Sequence, residues 1–299
     1  MKATKRTKSA PTTKWMVGVV VLAGMAALLS YALSGGKNSN TETLALPGLV
    51  STASAAEGAA GTPSGAPSSG TSAAAMQQAA SANKYLFAFF YEKDDDATRA
   101  ARKTFDEALK KLTPAPLSVA VDRNAPAEKE LVAKYGVDRA PMPLVLAIAP
   151  NGAVTSGLRA AELTEERLRD AVASAGLQKC LKALQEKRLV LVCLQNSQTQ
   201  GNDDAMKGVN DFKANSQFGS ATEIVKVDPR DPNETKLLAQ LKADPQAKTA
   251  TTAFLAPPGV LVAKVEGATT KDALLASLQK AMSSCAPGAG SGCCPAPKK

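Results

Sequence analysis

Three cysteines near the C-terminus, Cys285, Cys293 and Cys294, are the side chains in this sequence best suited to chemistry. They lie in SSCAPGAGSGCCPAPKK, where glycine and proline work against a helix and leave the thiols a wide reach. Thiols on such a segment suit a soft metal ion, exchange with another protein's disulfide, or a covalent tie to the body of the chain. A four-ligand structural zinc site needs one more donor, and the chain has no histidine. The same absence removes Ser-His-Asp triads, Cys-His pairs and every histidine metal site. Cys180 and Cys193 bring the cysteines to five, so at least one thiol is unpaired within the chain. Cys193, inside the apolar run LVLVCLQ, reads as a small buried hydrophobe. Cys180 sits in a short connector helix, KCLKALQEK, and a Cys180–Cys193 disulfide stays open if the chain lies outside the cytoplasm.

The second feature is an Asp-Asp-Ala triplet that occurs twice, at residues 95–97 and 203–205. Each follows an apolar run, LFAFFY and LVLVCL, and opens a helical pattern. Asp94, Asp95 and Asp96 are oxygen donors of the kind a hard cation takes. Consecutive side chains at a helix start diverge, however, so capping of the helix is the expected role.

The elements that position these residues repeat. VDRNAPAEKELVAKYGVD, residues 121–138, matches VDPRDPNETKLLAQLKAD, residues 227–244, and AIAPNG at 147–152 matches FLAPPG at 254–259. Nearly constant offsets across separate elements indicate an internal duplication of one domain, far longer than a solenoid repeat. In the first copy, residues 84–91 predict a strand covered on both faces. A helix follows over residues 97–112, with Ala100, Phe105, Leu109 and Leu112 forming an apolar stripe. A strand over 117–122, a helix over 127–135 closed by Gly136, a hairpin of strands 143–149 and 153–158 around Pro150-Asn151-Gly152, and a final helix over 163–175 complete the unit.

Around this body the chain is different in kind. Residues 1–14 are basic, and residues 15–33, WMVGVVVLAGMAALLSYAL, carry no charge. A helix of that length reaches about 28 Å, close to the roughly 30 Å of a bilayer core. Positive charge before the span predicts a cytoplasmic N-terminus and everything after residue 34 outside the cytoplasm. An uncleaved anchor is expected on apolar length, with secretion after signal cleavage as the alternative. Residues 35–83, rich in Ala, Ser, Gly, Thr and Pro, read as a disordered stalk. The formal charge is +9, of which residues 1–83 hold +4 and Lys298 and Lys299 +2, leaving only +3 on residues 84–297. With aromatics at 4%, this distribution excludes nucleic acid as a partner.

The element order β-α-β-α-β-β-α resembles the thioredoxin-like fold. KYGVDRAPMPLVLAIAPNGAV, residues 134–154, is similar to the thioredoxin segment in which Tyr-Gly-Val precedes the cis-proline. The resemblance covers roughly residues 84–284 as two copies. It implies an α/β chain of two tandem domains, each a central mixed sheet flanked by helices, after a transmembrane helix and linker. The expected boundaries are 1–14, 15–34, 35–83, 84–176, 177–284 and 285–299.

By the same resemblance Pro141 takes the cis-proline position, and a peptide-binding groove is lined by Arg139, Ala140, Pro141, Asp95, Asp96 and Thr98. The family's Cys-X-X-Cys falls on Asp95-Asp96-Ala97-Thr98 and on Asp203-Asp204-Ala205-Met206, neither with a thiol. The second copy also has Lys248-Thr249-Ala250 where the cis-proline would be. Catalytic cysteines use the positive helix end to stabilise a thiolate; an aspartate there caps but exchanges no disulfide. Two functions follow as expectations. One is a redox-inactive scaffold that binds extracytoplasmic proteins or peptides without a cofactor; the other is thiol exchange or soft-metal handling through Cys285, Cys293 and Cys294. Hydrolysis and phosphoryl transfer lack both a nucleophile–base signature and a phosphate-binding glycine loop.

Overall fold

The computed structural model describes residues 72–284. The expected membrane span, most of the expected stalk and the three tail cysteines lie outside the described residues. Among the described residues no helix is long and apolar enough to cross a membrane.

The first unit begins with helix α1 (Ser72–Ser81), then β1 (Leu86–Tyr91), α2 (Asp96–Leu109), β2 (Leu117–Asp122), α3 (Lys129–Tyr135), the hairpin β3 (Leu144–Ile148) and β4 (Val154–Arg159), and α4 (Glu165–Asp170). The second repeats it with α5 (Ala175–Gln185), β5 (Leu189–Leu194), α6 (Asn202–Lys213), β6 (Thr222–Val227), α7 (Thr235–Gln240), β7 (Thr251–Ala256), β8 (Val260–Glu266) and α8 (Lys271–Ser284). Short 3-10 turns, Pro126–Glu128 and Pro232–Glu234, precede α3 and α7. The sheets have orders β2-β1-β3-β4 and β6-β5-β7-β8. In each, the first two strands are parallel and the hairpin runs antiparallel to them.

The two apolar runs are therefore the inner strands of their sheets, which is why they lack polar alternation. Leu86, Ala88 and Phe90 face one core with Val121, Val132 and Leu146. Phe87 and Phe89 face the other with Phe105, Leu109 and Leu168, and the Phe89 and Phe105 rings lie 5.7 Å apart. In the second unit Val190, Val192 and Leu194 take one face, and Leu191 and Cys193 the other with Phe212 and Phe254. The mixed sheets and flanking helices agree with the expected tandem α/β architecture.

Three expectations need correction. The end of the supposed stalk is helical: α1 docks Ala75, Met76 and Ala79 on the first core. Its alanines are the best helix formers, but their small side chains leave no apolar stripe to read. The helix expected over 163–175 is only the six residues of α4. A second helix, α5, starts almost at once, so a boundary at 176/177 would cut its first turn. α5 also packs on the second sheet through Cys180, Ala183 and Leu184, and so belongs to the unit it precedes.

The duplication includes these leading helices and the way they are held. Glu128 accepts hydrogen bonds from the Ser72 hydroxyl and, at 3.3 Å, the Ser72 N–H. Glu234 accepts from the Ser174 hydroxyl at 2.5 Å and from the Gly176 N–H at 2.8 Å. In both units a carboxylate from the 3-10 turn thus caps the N-terminus of the leading helix, where backbone donors are otherwise orphaned. A Cβ on Gly176 would lie 2.8 Å from the Glu234 carboxylate, so any other residue there would push the carboxylate aside. α6 and the loop before α8 are closer still: a Cβ on Gly208 would stand 1.7 Å from the Thr269 carbonyl oxygen.

Glu234→Ala should cost about 2 kcal/mol, because a buried N–H and a hydroxyl lose their acceptor. The measure is the midpoint of urea unfolding. Gly208→Ala should cost more than about 2 kcal/mol, since the obstacle is backbone that cannot swing aside. An unchanged midpoint for Gly208→Ala would contradict the close packing of α6 against Thr269.

Candidate functional site

Because β3 runs against β1 with Phe90 opposite Leu144, three loops of the first unit meet at one end of the sheet. They are residues 92–95 after β1, residues 123–125 after β2, and residues 136–143 before β3. Carboxyl ends of strands in open α/β sheets are the usual place for ligands.

Arg123 joins these loops. Its guanidinium donates to the Glu92 carboxylate at 2.5 Å and to the Ala140 carbonyl at 2.9 Å, and its N–H donates to the Tyr91 carbonyl at 2.9 Å. The planar fork of arginine suits two acceptors on different loops, and its side chain is only 17% exposed. Asn124 adds a bond from its side-chain amide to the Glu92 carbonyl at 3.2 Å. Neither Arg123 nor Glu92 was expected from the sequence. The one signal was that VDR of the first copy becomes VDP in the second, so only the first can make this bridge.

The expected groove residues are distributed as follows. Asp95 is the N-cap of α2 and accepts from the Thr98 N–H at 2.8 Å. That bond holds the Asp95 carboxyl below its usual range although it is fully exposed to solvent. Asp96 pairs with Arg99 at 2.6 Å, and Asp94 with the same guanidinium at 3.5 Å. The three aspartates thus serve the helix start and Arg99. Among the described residues no cluster of three or more His, Cys, Asp or Glu side chains could hold a metal ion. Thr98 is buried beneath the turn. On the facing loop Ala140 is buried, while the Arg139 side chain is 74% exposed and lies 3.6 Å from Asp138.

Pro141 does not carry the cis bond. Of the two prolines in Pro141-Met142-Pro143 it is Pro143 that follows a cis peptide, Met142–Pro143, directly before β3. Counting from Tyr-Gly-Val picks the first proline of the pair; the residue that abuts the strand is the second. In the second unit Ala250 holds that place before β7, with no cis bond, as the sequence led one to expect.

Neither helix start carries a thiol, and the described cysteines offer none to them. Cys180 packs on the face of β5 that presents Val190 and Val192, whereas Cys193 points to the opposite face beside Leu191. They are free and buried, so the disulfide left open by the sequence does not form. Burial, with a smaller contribution from Glu234, pushes the Cys180 thiol up to about 12. Burial likewise pushes Cys193 up to about 11. Both are neutral thiols at physiological pH and poor nucleophiles.

The second unit closes the corresponding end itself. Residues 195–201 link β5 to α6, and Gln200 forms a parallel bridge with Thr249. Its N–H donates to the Lys248 carbonyl at 2.8 Å, and its carbonyl accepts from the Ala250 N–H at 2.9 Å.

No family model matches the chain, and no curated protein does. Solved structures similar to it include the first two thioredoxin domains of Saccharomyces cerevisiae Eps1p, at 11% identity over 73% of this chain and 99% of that one, TM-score 0.28. The zinc-bound form of human ERp44 is 9% identical over 71% of this chain and 59% of that one, TM-score 0.28. A domain of the alkylhydroperoxide reductase AhpF from Enterococcus faecalis is 16% identical over 68% of this chain and 98% of that one, TM-score 0.25. At such scores the strand order within each unit, rather than these likenesses, is the ground for the fold.

The thiol chemistry gives a pH prediction. Both cysteines hold their proton more tightly when folded than at the ordinary value of 9.0. The folded chain therefore binds more protons than the unfolded one above pH 9. Stability from this source is full below pH 9 and falls as pH rises towards about 11 for Cys193 and about 12 for Cys180. Urea titrations between pH 8 and pH 10.5 should show the loss, and Cys193→Ala should reduce it. A chain ending at Ser284 should leave both thiols unlabelled by an aromatic disulfide reagent at pH 8 until it is unfolded.

Proposed function

We propose that this chain is a redox-inactive, tandem thioredoxin-like binding protein. It is held on the extracytoplasmic face of a membrane by residues 15–34, and its first unit receives an extended segment of another protein. The observation that carries the reading is the make-up of the first unit's strand-end loops. The helix start that would bear a nucleophile is closed on itself by Asp95 and Thr98, while the facing loop is held in place by Arg123. Between Pro141 and Pro143 only Met142 has a backbone N–H, and Pro143 directly adjoins the strand. Arg139 and Pro141 on one side, with Ala140 beneath them held by Val137 and Arg123, and Asp95, Asp96 and Thr98 on the other, border the surface that would take the peptide, and Met142 is the residue there with a backbone N–H to offer it. The anchor and the extracytoplasmic side rest on the apolar length of residues 15–33 and the positive charge before them.

Two measurements test this. In a dithiol-dependent disulfide reduction assay the full chain should show no turnover. Turnover that persists in a chain ending at Ser284 would defeat the reading; turnover lost on that truncation would move the chemistry to Cys285, Cys293 and Cys294. In amide shift mapping with a library of extended peptides, perturbations should centre on Ala140, Met142 and Thr98. Arg123→Ala should weaken binding about tenfold by releasing the Ala140 carbonyl and with it the loop, the loss of roughly one charged hydrogen bond.

A further inference from the structure

The two units differ at the end of the sheet where the first unit's three loops meet. The connection from β1 to α2 takes four residues, 92–95, whereas that from β5 to α6 takes seven, 195–201. Four residues suffice to join strand to helix, so the second loop has three more than the turn requires. That surplus carries Gln200 to the loop before β7, where it forms a single parallel bridge with Thr249.

The loop is built to hold this course. The Asn196 N–H donates to the Thr199 hydroxyl at 2.9 Å, that hydroxyl donates to the Asn202 side chain at 2.7 Å, and Asn202 donates back to the Asn196 carbonyl at 2.8 Å. Asn196 is fixed in turn to Asp228 at 2.8 Å. Gly201, at φ +73, makes the left-handed turn that delivers the chain into α6. Position 250 completes the contact. Its counterpart in the first unit is Pro143, which has no N–H to give; Ala250 has one, and Gln200 accepts it. The closed form leaves one mismatch, since the side-chain oxygen of Gln195, where the loop departs, is buried without a partner among the described residues. An unpaired buried acceptor favours opening.

We propose that the second unit contains a latent binding groove for an extended polypeptide segment, running parallel to residues 248–250, which residues 195–201 keep shut by occupying it as an intramolecular ligand. The proposal rests on the reading that this end of a unit receives extended chain, and it adds that in the second unit the chain's own loop must leave before a partner enters.

The test uses the full-length chain and a variant lacking residues 196–198, which gives the second unit the first unit's shorter connection. Hydrogen exchange at the Ala250 amide should be slow in the wild type and about tenfold or more faster in the variant. The synthetic heptapeptide QNSQTQG, titrated to millimolar concentration, should shift the Lys248, Thr249 and Ala250 amides of the variant and leave those of the wild type in place. An unprotected Ala250 amide in the wild type overturns the proposal, as do equal shifts in the two chains or a folded variant that the peptide leaves unshifted. If the shortened chain does not fold, Gln200→Pro serves instead, because it removes the N–H donated to Lys248 at unchanged loop length; it should free Ala250 in the same way. Shifts at Ala140 and Met142 report the first unit separately, so a failure there counts against the earlier reading while residues 248–250 still decide this one.

Discussion

The carboxylate of Glu234 is the contact on which the arrangement of the units depends. It is buried, and a buried carboxylate persists only where donors surround it. The Ser174 hydroxyl and the Gly176 N–H supply them, which fixes the first turn of α5. α5 then serves two sheets. Towards its own it presents Cys180, Ala183 and Leu184. Towards the first unit, Gln178 accepts from the Asn151 side chain at 3.0 Å, and Gln185 both accepts from Val154 N–H at 3.0 Å and donates to Val154 C=O at 2.7 Å. Lys236 on α7 reaches Asp170 at 2.9 Å, adding a second tie. One helix start is thereby coupled to the seam between the copies.

Much of this fold is legible in the residues. LFAFFY and LVLVCL announce two-sided burial because both faces of those strands meet apolar side chains. Asp95 and Gly136 mark a helix start and a helix end by chemistry that needs no tertiary context. What escaped is what tertiary contact decides. SAAAMQQAAS looks like linker, and only the first core below it and Glu128 at its end make it a docked helix. The choice between Pro141 and Pro143 depends on where β3 begins, a boundary that local pattern leaves free by a residue or two. Arg123 was hidden for a related reason: its partners, Glu92 and Ala140, are distant in sequence and meet only through the strand order.

The copies have kept one frame and diverged at the ends of their strands. Both retain the two-faced inner strand, the 3-10 turn and its glutamate clamp. The first has prolines where the second has backbone donors, and it joins its loops through a guanidinium. The second has the longer loop and satisfies the corresponding backbone positions internally. A frame set by burial tolerates such change, because loops lie outside the core and carry little of its packing energy.

The amide of Gln185 has one more consequence. By holding both backbone groups of Val154 it does at the start of β4 what a neighbouring strand would do, and so blunts that part of the first sheet's outer margin. β8 occupies the matching margin of the second sheet, with no unit following it among the described residues, and there Val260 is 55% and Leu261 39% exposed. Lys264, exposed on the same strand, is the kind of charge that discourages edge-to-edge stacking. Among the described residues the seam thus covers the start of β4, and β8 is the more open of the two hairpin margins.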